Sequence, residues 1–235
     1  MKNSVEYASR LKRLCNRLQR SGVKAAEADD ADVTAELVLG CLSMYTTEGK
    51  ACAALNRLRS YFLDLNELRV SRVPEVMEVL GKNFEHGREA AERVLQVLRS
   101  VFDKQDRMDL DNLRGMGKRE AKTFLGDLDG TCPYVVSWVM LRALGAHAFP
   151  MHEGMLTMLR GEEVVQPTAD MATVQGFLER QIPTERIKKV YSLLRRHADN
   201  FKGAGHQGGK IAARKTGEKT GEKTTAEQKK PQQEG

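Results

Sequence analysis

The sequence predicts an all-α fold, and two observations support the prediction. Upstream of residue 203, apolar residues recur every three or four positions, which is the period of a helix with one buried face. The alternation of apolar and polar residues that would indicate strands is scarce. The helical spacing is clearest in four runs: Leu11, Leu14 and Leu18; Leu37, Val38, Cys41 and Leu42; Val94, Leu95, Leu98 and Val101; and Val190, Leu193 and Leu194.

Glycine and proline divide this helical pattern into about ten segments joined by short loops. Asp32 and Asp109 stand where the side chain of an N-cap residue would be expected. The breaks fall, in chain order, at Ser21-Gly22, Gly49, Val73-Pro74, Gly81, Gly115 to Gly117, Gly126 to Gly130, Gly145, Pro150, Pro167 and Pro183.

Composition predicts three regions in the 235-residue chain: an N-terminal helix and linker over 1–30, a main helical domain over 31–202, and a disordered basic tail over 203–235. The acidic run from Glu27 to Asp32 is assigned to the linker. The tail carries seven Lys or Arg against four Glu and too few apolar residues to offset the entropy of ordering. Its lysines either keep the protein soluble or hold it near DNA by non-specific phosphate contacts.

The net charge of +6 and the pI of about 9.1 favour a polyanionic partner such as nucleic acid. No apolar run approaches the roughly 18 residues of a membrane span, and the first residues lack the apolar core of a secretory signal. We therefore expect a cytoplasmic protein that does not interact with membranes.

Four cysteines are present, namely Cys15, Cys41, Cys52 and Cys132. They are widely spaced, form no CxxC pair and have no histidine at a ligand-like offset. The sequence therefore predicts free thiols, no metal site, no cofactor and no iron-sulfur cluster.

Two stretches share a Leu-x-Gly turn that leads into a helix, LRGMGKREA from Leu113 and LDGTCPYVVSWVML from Leu128. Such a turn exposes backbone N–H groups at the positive end of a helix dipole, where a phosphate can bind. It can equally be a plain connection between two helices. The residues that could contact DNA are Gly115, Gly117, Lys118, Arg119 and Lys122 in the first stretch, and Gly130, Thr131, Cys132 and Tyr134 in the second.

The second stretch is followed by Gly145, then by the segment Ala148-Phe149-Pro150-Met151, and then by His152. This order resembles the helix-hairpin-helix DNA glycosylase superfamily (HhH-GPD) of endonuclease III. In that family a hairpin LPGVGxxTA precedes an essential aspartate in a VDTH-like motif, at the distance that separates Leu128 from His152. CLSMYTTEGKA, from Cys41, is similar to the family's ILSAQTTDKAV. The resemblance covers about Asp32 to Asn200 and implies two helical lobes with a cleft, one of them built from both ends of the chain.

This sequence departs from the family pattern at the positions that carry chemistry. Cys132 replaces the second hairpin glycine, which predicts weaker phosphate binding because a residue with a Cβ tolerates positive φ poorly. Tyr134 replaces the lysine that forms a Schiff base, so no β-lyase reaction is expected. His152 replaces the aspartate, and the neighbouring Glu153 is the nearest carboxylate. Tyr45 replaces a glutamine that fills the gap left by a flipped base, and it is either a wedge between bases or a packed tyrosine with its hydroxyl in water.

For the pair His152 and Glu153 two interpretations stand: a relocated catalytic group, or a polar first turn of a helix in which the dipole favours Glu153.

The resemblance predicts a divergent protein of base-excision repair that binds duplex or damaged DNA and has lost or impaired glycosylase and lyase chemistry. One alternative is an active monofunctional glycosylase that uses Glu153 or His152. Another is a helical scaffold that binds other proteins instead of DNA. DNA is the expected partner, and other repair proteins are a further class.

Overall fold

The computed structural model describes residues 4–20 and 32–201, and in these residues the chain is helical with no strand. The predicted tail, most of the acidic run and the Ser21-Gly22 break lie outside the described residues. Eleven α-helices and one 3-10 helix are present in the described part, which confirms the predicted fold class. They are α1 Ser4–Arg20, α2 Val33–Ser43, α3 Glu48–Tyr61, α4 Leu65–Val70, α5 Val73–Leu80, α6 Gly87–Gln105, the 3-10 helix Asp111–Arg114, α7 Lys118–Gly126, α8 Pro133–Arg142, α9 Glu153–Gly161, α10 Met171–Gln181 and α11 Thr184–Asn200.

The helices pack as two groups. Helix α2 packs against α3, α6 and α8, while α4 and α5 pack on α6 and α7 packs on α8. Helices α1 and α9 pack against α11, and α10 packs against α9. The second group therefore joins the first helix of the chain to the last three, as the family resemblance implied.

Helix α2 is the centre of the first group, and all its residues are buried. Its apolar sequence has no polar face, which is typical of a helix surrounded by others. Asp32 begins the helix because its carboxylate accepts hydrogen bonds from the backbone N–H groups of Thr34 and Ala35, at 2.9 and 3.2 Å. Asp109 was also predicted as an N-cap. Its carboxylate accepts from the N–H of Asp111 at 2.7 Å, although Leu110 precedes the 3-10 helix.

Helices α2 and α8 approach closely at Gly40. A Cβ atom at this position would lie 3.0 Å from Cδ1 of Trp138, which is fully buried. The indole N–H of Trp138 donates to Glu36 at 2.7 Å, so its polar atom is satisfied inside the core. Trp138 is therefore a core residue.

The two groups are joined by the buried guanidinium of Arg195, on α11. It donates to the backbone oxygens of Ser43 and Thr46, at 3.0 and 2.7 Å, and forms an ion pair with Asp199 at 2.9 Å. Because α2 ends at Ser43, the guanidinium satisfies a carbonyl that the helix leaves without an internal partner, and it also holds the following loop at Thr46. Within the described residues, no helix is both long and apolar enough to cross a membrane.

Candidate nucleic-acid interface

The hairpin between α7 and α8 is a tight turn held by its own hydrogen bonds. The N–H of Thr131 donates to the carbonyl of Leu128 at 3.2 Å, and the Thr131 hydroxyl bonds to the carbonyls of Leu125 and Leu128. The N–H of Asp129 donates to the hydroxyl of Ser100 on α6 at 2.9 Å. With Leu128 buried beneath it, the turn is fixed to the first group of helices.

Gly130 is the one hairpin position that requires glycine. Its φ is +85°, and a Cβ there would lie 2.9 Å from Cγ2 of Val97. Cys132 has a φ of −150°, which is extended backbone open to any residue. The expectation that a Cβ at Cys132 would strain the hairpin is therefore wrong, because the turn reverses at Gly130 and is already extended two residues later.

Helix α8 begins with no side-chain hydrogen bond to its first turn, where Cys132 is the N-cap and Pro133 is the first helical residue. The N–H groups of Tyr134 and Val135 are among the first-turn donors that have no partner within a helix. This is the arrangement in which a phosphate oxygen can accept. Asp127 and Asp129 are exposed on the turn that precedes α8. Their negative charge opposes the binding of a phosphate, which the sequence motif alone favoured.

Arg93, on α6, connects the hairpin to the loop between α2 and α3. Its guanidinium donates to the carbonyl of Gly130 at 2.6 Å and to the hydroxyl of Tyr45 at 2.8 Å. Cys132 touches Met44 of the same loop, with the two sulfur atoms 3.4 Å apart. The two predicted DNA-contacting segments, from Tyr45 and from Gly130 to Cys132, are thus brought together.

Tyr45 itself is buried, with 8% of its surface exposed, and its ring lies near His86 with centroids 6.0 Å apart. Its hydroxyl is bonded to Arg93, so the alternative with the hydroxyl in water is wrong in that detail. The structure favours a packed tyrosine over a wedge between bases, because a wedge has to project from the surface.

The first glycine stretch is a connection from the 3-10 helix to α7. Gly115 has a φ of −82° and Gly117 a φ of −60°, so neither needs the freedom of glycine. The ammonium of Lys118 donates to the carbonyl of Leu144, which fixes it to the loop after α8. Arg119 and Lys122 are exposed on α7, where they can meet an anion.

Tyr134 and His152, which the resemblance assigns to the family's lysine and aspartate positions, stack on one another. Their ring centroids are 5.7 Å apart and the planes differ by 6°. The Tyr134 hydroxyl lies 2.9 Å from the hydroxyl of Ser43 and accepts from Arg195 at 3.0 Å. Burial raises the pKa of this phenol, so it stays protonated. A buried phenol held on two sides does not reach DNA, so the prediction that Tyr134 contacts it is wrong for this arrangement.

His152 is the N-cap of α9. Its Nδ1 accepts the backbone N–H of Met155 at 2.9 Å, and this requires a neutral ring with its proton on Nε2. Burial, followed by the nearby charge of Arg195, holds the pKa of His152 well below its usual value. A ring that carries its proton on Nε2 and accepts with Nδ1 has no free lone pair to serve as a general base.

Glu153 is the first residue of α9, with its side chain exposed to water. A carboxylate in the first turn is favoured by the helix dipole. The arrangement matches a polar first turn, in which His152 satisfies one N–H group and Glu153 interacts with the positive helix end.

The cap at His152 predicts a pH-dependent stability. The unfolded chain binds a proton at His152 near pH 6.5, while the folded chain resists it to much lower pH, so stability is complete above this pH and falls as the pH drops. We expect His152→Asn, which keeps a capping oxygen but cannot titrate, to lose less stability than the wild type below about pH 6.5. The difference approaches at most about 1.4 kcal/mol per pH unit.

Urea unfolding at a series of pH values measures this difference. His152→Ala is the matched variant without the cap, expected to cost about 1 kcal/mol at neutral pH. Parallel pH curves for wild type and His152→Asn would show that the folded ring titrates as freely as the unfolded one.

No group of three or more His, Cys, Asp or Glu side chains within residues 4–20 and 32–201 could hold a metal ion. Burial raises the pKa of the Cys41 thiol to about 12 and that of Cys15 to about 11, which makes both unreactive. The absence of a cofactor and of an iron-sulfur cluster stays a prediction.

Sequence reasoning missed Arg195, Arg93 and Ser43, which organise the site. A signal for Arg195 exists, since it directly follows Leu193 and Leu194 and lies one helical turn after Tyr191, at a spacing that points inward. No comparable signal marks Arg93, because nothing local shows that the carbonyl of Gly130 needs a donor.

Comparison with solved structures identifies the arrangement. A trapped endonuclease III–DNA covalent intermediate superposes with a TM-score of 0.64 at 13% identity, over 81% of this chain and 85% of that one. The chain has the helix-hairpin-helix glycosylase fold.

Two further structures share the helix-hairpin-helix glycosylase fold with this chain. One is the Clostridium acetobutylicum 8-oxoguanine glycosylase/lyase with double-stranded DNA containing cytosine opposite 8-oxoguanine, with a TM-score of 0.61 at 14% identity, over 85% of this chain and 71% of that one. The other is a thermostable thymine-DNA glycosylase, with a TM-score of 0.57 at 14% identity, over 88% and 90%. At these identities the likeness establishes the fold.

Among curated proteins, one from Arabidopsis thaliana, provisionally named a DNA glycosylase, is 26% identical over 178 residues. The match takes in 73% of this chain and 58% of the plant protein, so the chain spans less than two thirds of that relative. No family model matches the chain.

Proposed function

We propose that the protein binds duplex or damaged DNA in base-excision repair and does not remove bases by the aspartate-dependent route. The observation that supports this most directly is the stacked pair of Tyr134, in the first turn of α8 after the hairpin, and His152, at the start of α9. The hairpin keeps the turn at Gly130 and the uncapped start of α8, which suit a phosphate. The two reactive positions hold a phenol and a neutral imidazole.

Each replacement removes a specific chemical step. Base removal through an oxocarbenium-like sugar needs a carboxylate to stabilise positive charge, and His152 offers none while Arg195 adds a nearby cation. Formation of an imine at C1′ needs an amine, which the Tyr134 phenol cannot supply. Binding of the backbone is left as the function that the remaining groups can perform.

One alternative, an active monofunctional glycosylase, has a single observation in its favour, the exposed carboxylate of Glu153 at the first residue of α9. The test is a single-turnover incubation of excess protein with duplexes that carry uracil, oxidised guanine opposite adenine, alkylated adenine or an abasic site, followed by a denaturing gel. Alkali is added before the gel to the duplexes with a damaged base and not to the abasic duplex, because alkali alone cleaves an abasic site. We expect binding without strand breaks. Breaks that depend on the protein and disappear in Glu153→Gln would establish an enzyme with a relocated carboxylate.

Salt dependence tests the hairpin side of the proposal. All three cations of α7 are exposed, but Lys118 already donates to the Leu144 carbonyl, which leaves Arg119 and Lys122 for the test. Changing Arg119 and Lys122 to alanine is expected to reduce the slope of log affinity against log salt by about 0.9 for each phosphate that the variant no longer neutralises.

The matched control is the pair Arg72→Ala and Lys82→Ala, which removes the same charge from exposed positions elsewhere. Fluorescence anisotropy with an undamaged duplex, from about 50 to 200 mM salt, gives the slopes. A slope that does not change in the α7 variant would place the phosphate contacts on another surface. Absence of DNA binding by the wild type at low salt would contradict the proposed function and favour the protein scaffold.

A further inference from the structure

Positive charge is concentrated on two helices that pack against each other. Helices α1 and α11 together carry ten Lys or Arg and three Asp or Glu. The other described residues, including the hairpin, carry 18 Lys or Arg and 22 Asp or Glu. The remainder of the described fold is therefore net acidic, and the basic excess lies on the group formed by the two ends of the chain.

Part of this charge is neutralised inside the protein. Arg10 pairs with Glu6 and Glu163, and Arg17 pairs with Glu162, along the edge that faces the end of α9. Arg195 is buried with Asp199 and serves the core. These residues do not offer a cation to a partner.

Other exposed cations of the two helices form no such ion pair within the described residues, although Arg13 also borders the groove lined by Glu162 and Glu163. Arg13 and Arg20 lie two turns apart on α1, and Lys189 and Arg196 lie two turns apart on α11, so each pair projects from one side of its helix. The side chains of these four residues form no hydrogen bond or ion pair with any part of the chain that the structure describes. Because α1 packs on α11 and its residues Leu11, Leu14 and Leu18 are buried, the two rows are held on one rigid support.

We propose that this face, defined by Arg13, Arg20, Lys189 and Arg196, binds the phosphate backbone of DNA and supplies most of the salt-dependent affinity. The inference rests on the proposed DNA-binding function and assigns its electrostatic part to a second surface, away from the hairpin. Two rows of long, flexible cations suit a chain of phosphates, which need charge and little shape. The hairpin, with Asp127 and Asp129 beside it, then contributes position more than charge.

The chemistry of the face favours nucleic acid over a lipid surface. Helices that lie in a membrane interface combine cations with an apolar face that inserts into the lipid. On α1 the apolar face is buried against α11, and Val5 is the one large apolar side chain that α1 exposes. On α11 no large apolar side chain is exposed. Charge without an inserting face is the pattern of a phosphate contact.

The test uses the full chain with three cations removed, Arg13→Gln, Lys189→Gln and Arg196→Gln, against a matched control, Arg72→Gln, Lys82→Gln and Arg107→Gln. Both variants lose the same net charge from exposed positions, so general electrostatic attraction changes equally. The probe is a short undamaged duplex, titrated by anisotropy from about 50 to 200 mM salt. We expect the first variant to reduce the slope of log affinity against log salt by about 0.9 per phosphate, approaching about 2.7, and the control to leave it within error.

Equal slopes for the two variants would overturn the proposal. If both slopes fall, the effect is one of net charge, and if neither changes, the face makes no phosphate contact. A wild type that fails to bind the duplex at low salt would instead contradict the proposed function itself.

Cosedimentation with phosphatidylserine and phosphatidylcholine vesicles tests the lipid alternative. Vesicle binding that disappears in the first variant, together with an unchanged DNA slope, would assign the face to membranes and overturn the proposal for DNA. Circular dichroism and urea unfolding of each variant confirm that the slopes are measured on folded protein.

Discussion

Replacing Arg195 with methionine is expected to lower the free energy of unfolding by about 3–5 kcal/mol. The Arg195 residue is 1% exposed, and its guanidinium bonds to the Tyr134 hydroxyl and to the carbonyls of Ser43 and Thr46. Methionine fills a similar volume but donates no hydrogen bond. The variant would leave Asp199 as a charge without its partner and two carbonyl groups without donors, in a place that water reaches poorly.

The neighbouring residue offers a control of the same type. Arg196 is exposed, so Arg196→Met is expected to change stability by less than about 0.5 kcal/mol. Urea unfolding monitored by far-UV circular dichroism at neutral pH compares the two. A decrease below about 1 kcal/mol in Arg195→Met would mean that the two groups of helices are held by apolar packing and not by this guanidinium.

Gly130→Ala is the second change with a large expected effect, a decrease of about 2–5 kcal/mol in the free energy of unfolding. Two costs act together. An L-residue at a φ of +85° is strained by about 1–2 kcal/mol, and the added methyl would lie 2.9 Å from Cγ2 of Val97. The β-branched Val97 is buried in α6 and has little freedom to move, so overpacking adds about 1–3 kcal/mol.

Gly126→Ala is the matched control on the same hairpin. A Cβ at Gly126 meets nothing within 4 Å, and the residue is the last of α7. We expect unchanged or slightly higher stability, since alanine favours helix over glycine. The DNA affinities of the two variants are compared as well. We expect only Gly130→Ala to lower the affinity, because only this change displaces the carbonyl that Arg93 holds. Equal stabilities for Gly130→Ala and wild type would show that the hairpin turns in another way.

Much of the fold follows from local pattern in the sequence. The recurrence of apolar residues predicted the helices, and glycine and proline predicted their ends, because helix period and backbone restriction act within a few residues. The distance from Leu128 to His152 placed the hairpin, α8 and the start of α9 correctly in order. The same reasoning identified Asp32 as a cap, since an N-cap bonds only to the next two or three residues.

The sequence did not predict the backbone conformation of individual hairpin residues. Gly130 and Cys132 occupy similar positions in the motif, yet one has positive φ and the other is extended, and the contact with Val97 decides which glycine is needed. Tyr45 was open to insertion between bases in the sequence because its partner Arg93 is 48 positions away. Partners this far apart in sequence are brought together only when α2 and α6 pack.

The sequence by itself determined that the chain is helical, where its hairpin lies and which reactive side chains of the family pattern are missing. These are properties of residue identity and of spacing along one stretch. Only the tertiary structure decided what replaced them: Tyr134 fixed by Arg195, His152 neutral at the start of α9, and the exposed cations collected on α1 and α11. The physical reason is that burial and distant charges set the protonation state of a side chain, and both depend on helices from opposite ends of the chain meeting.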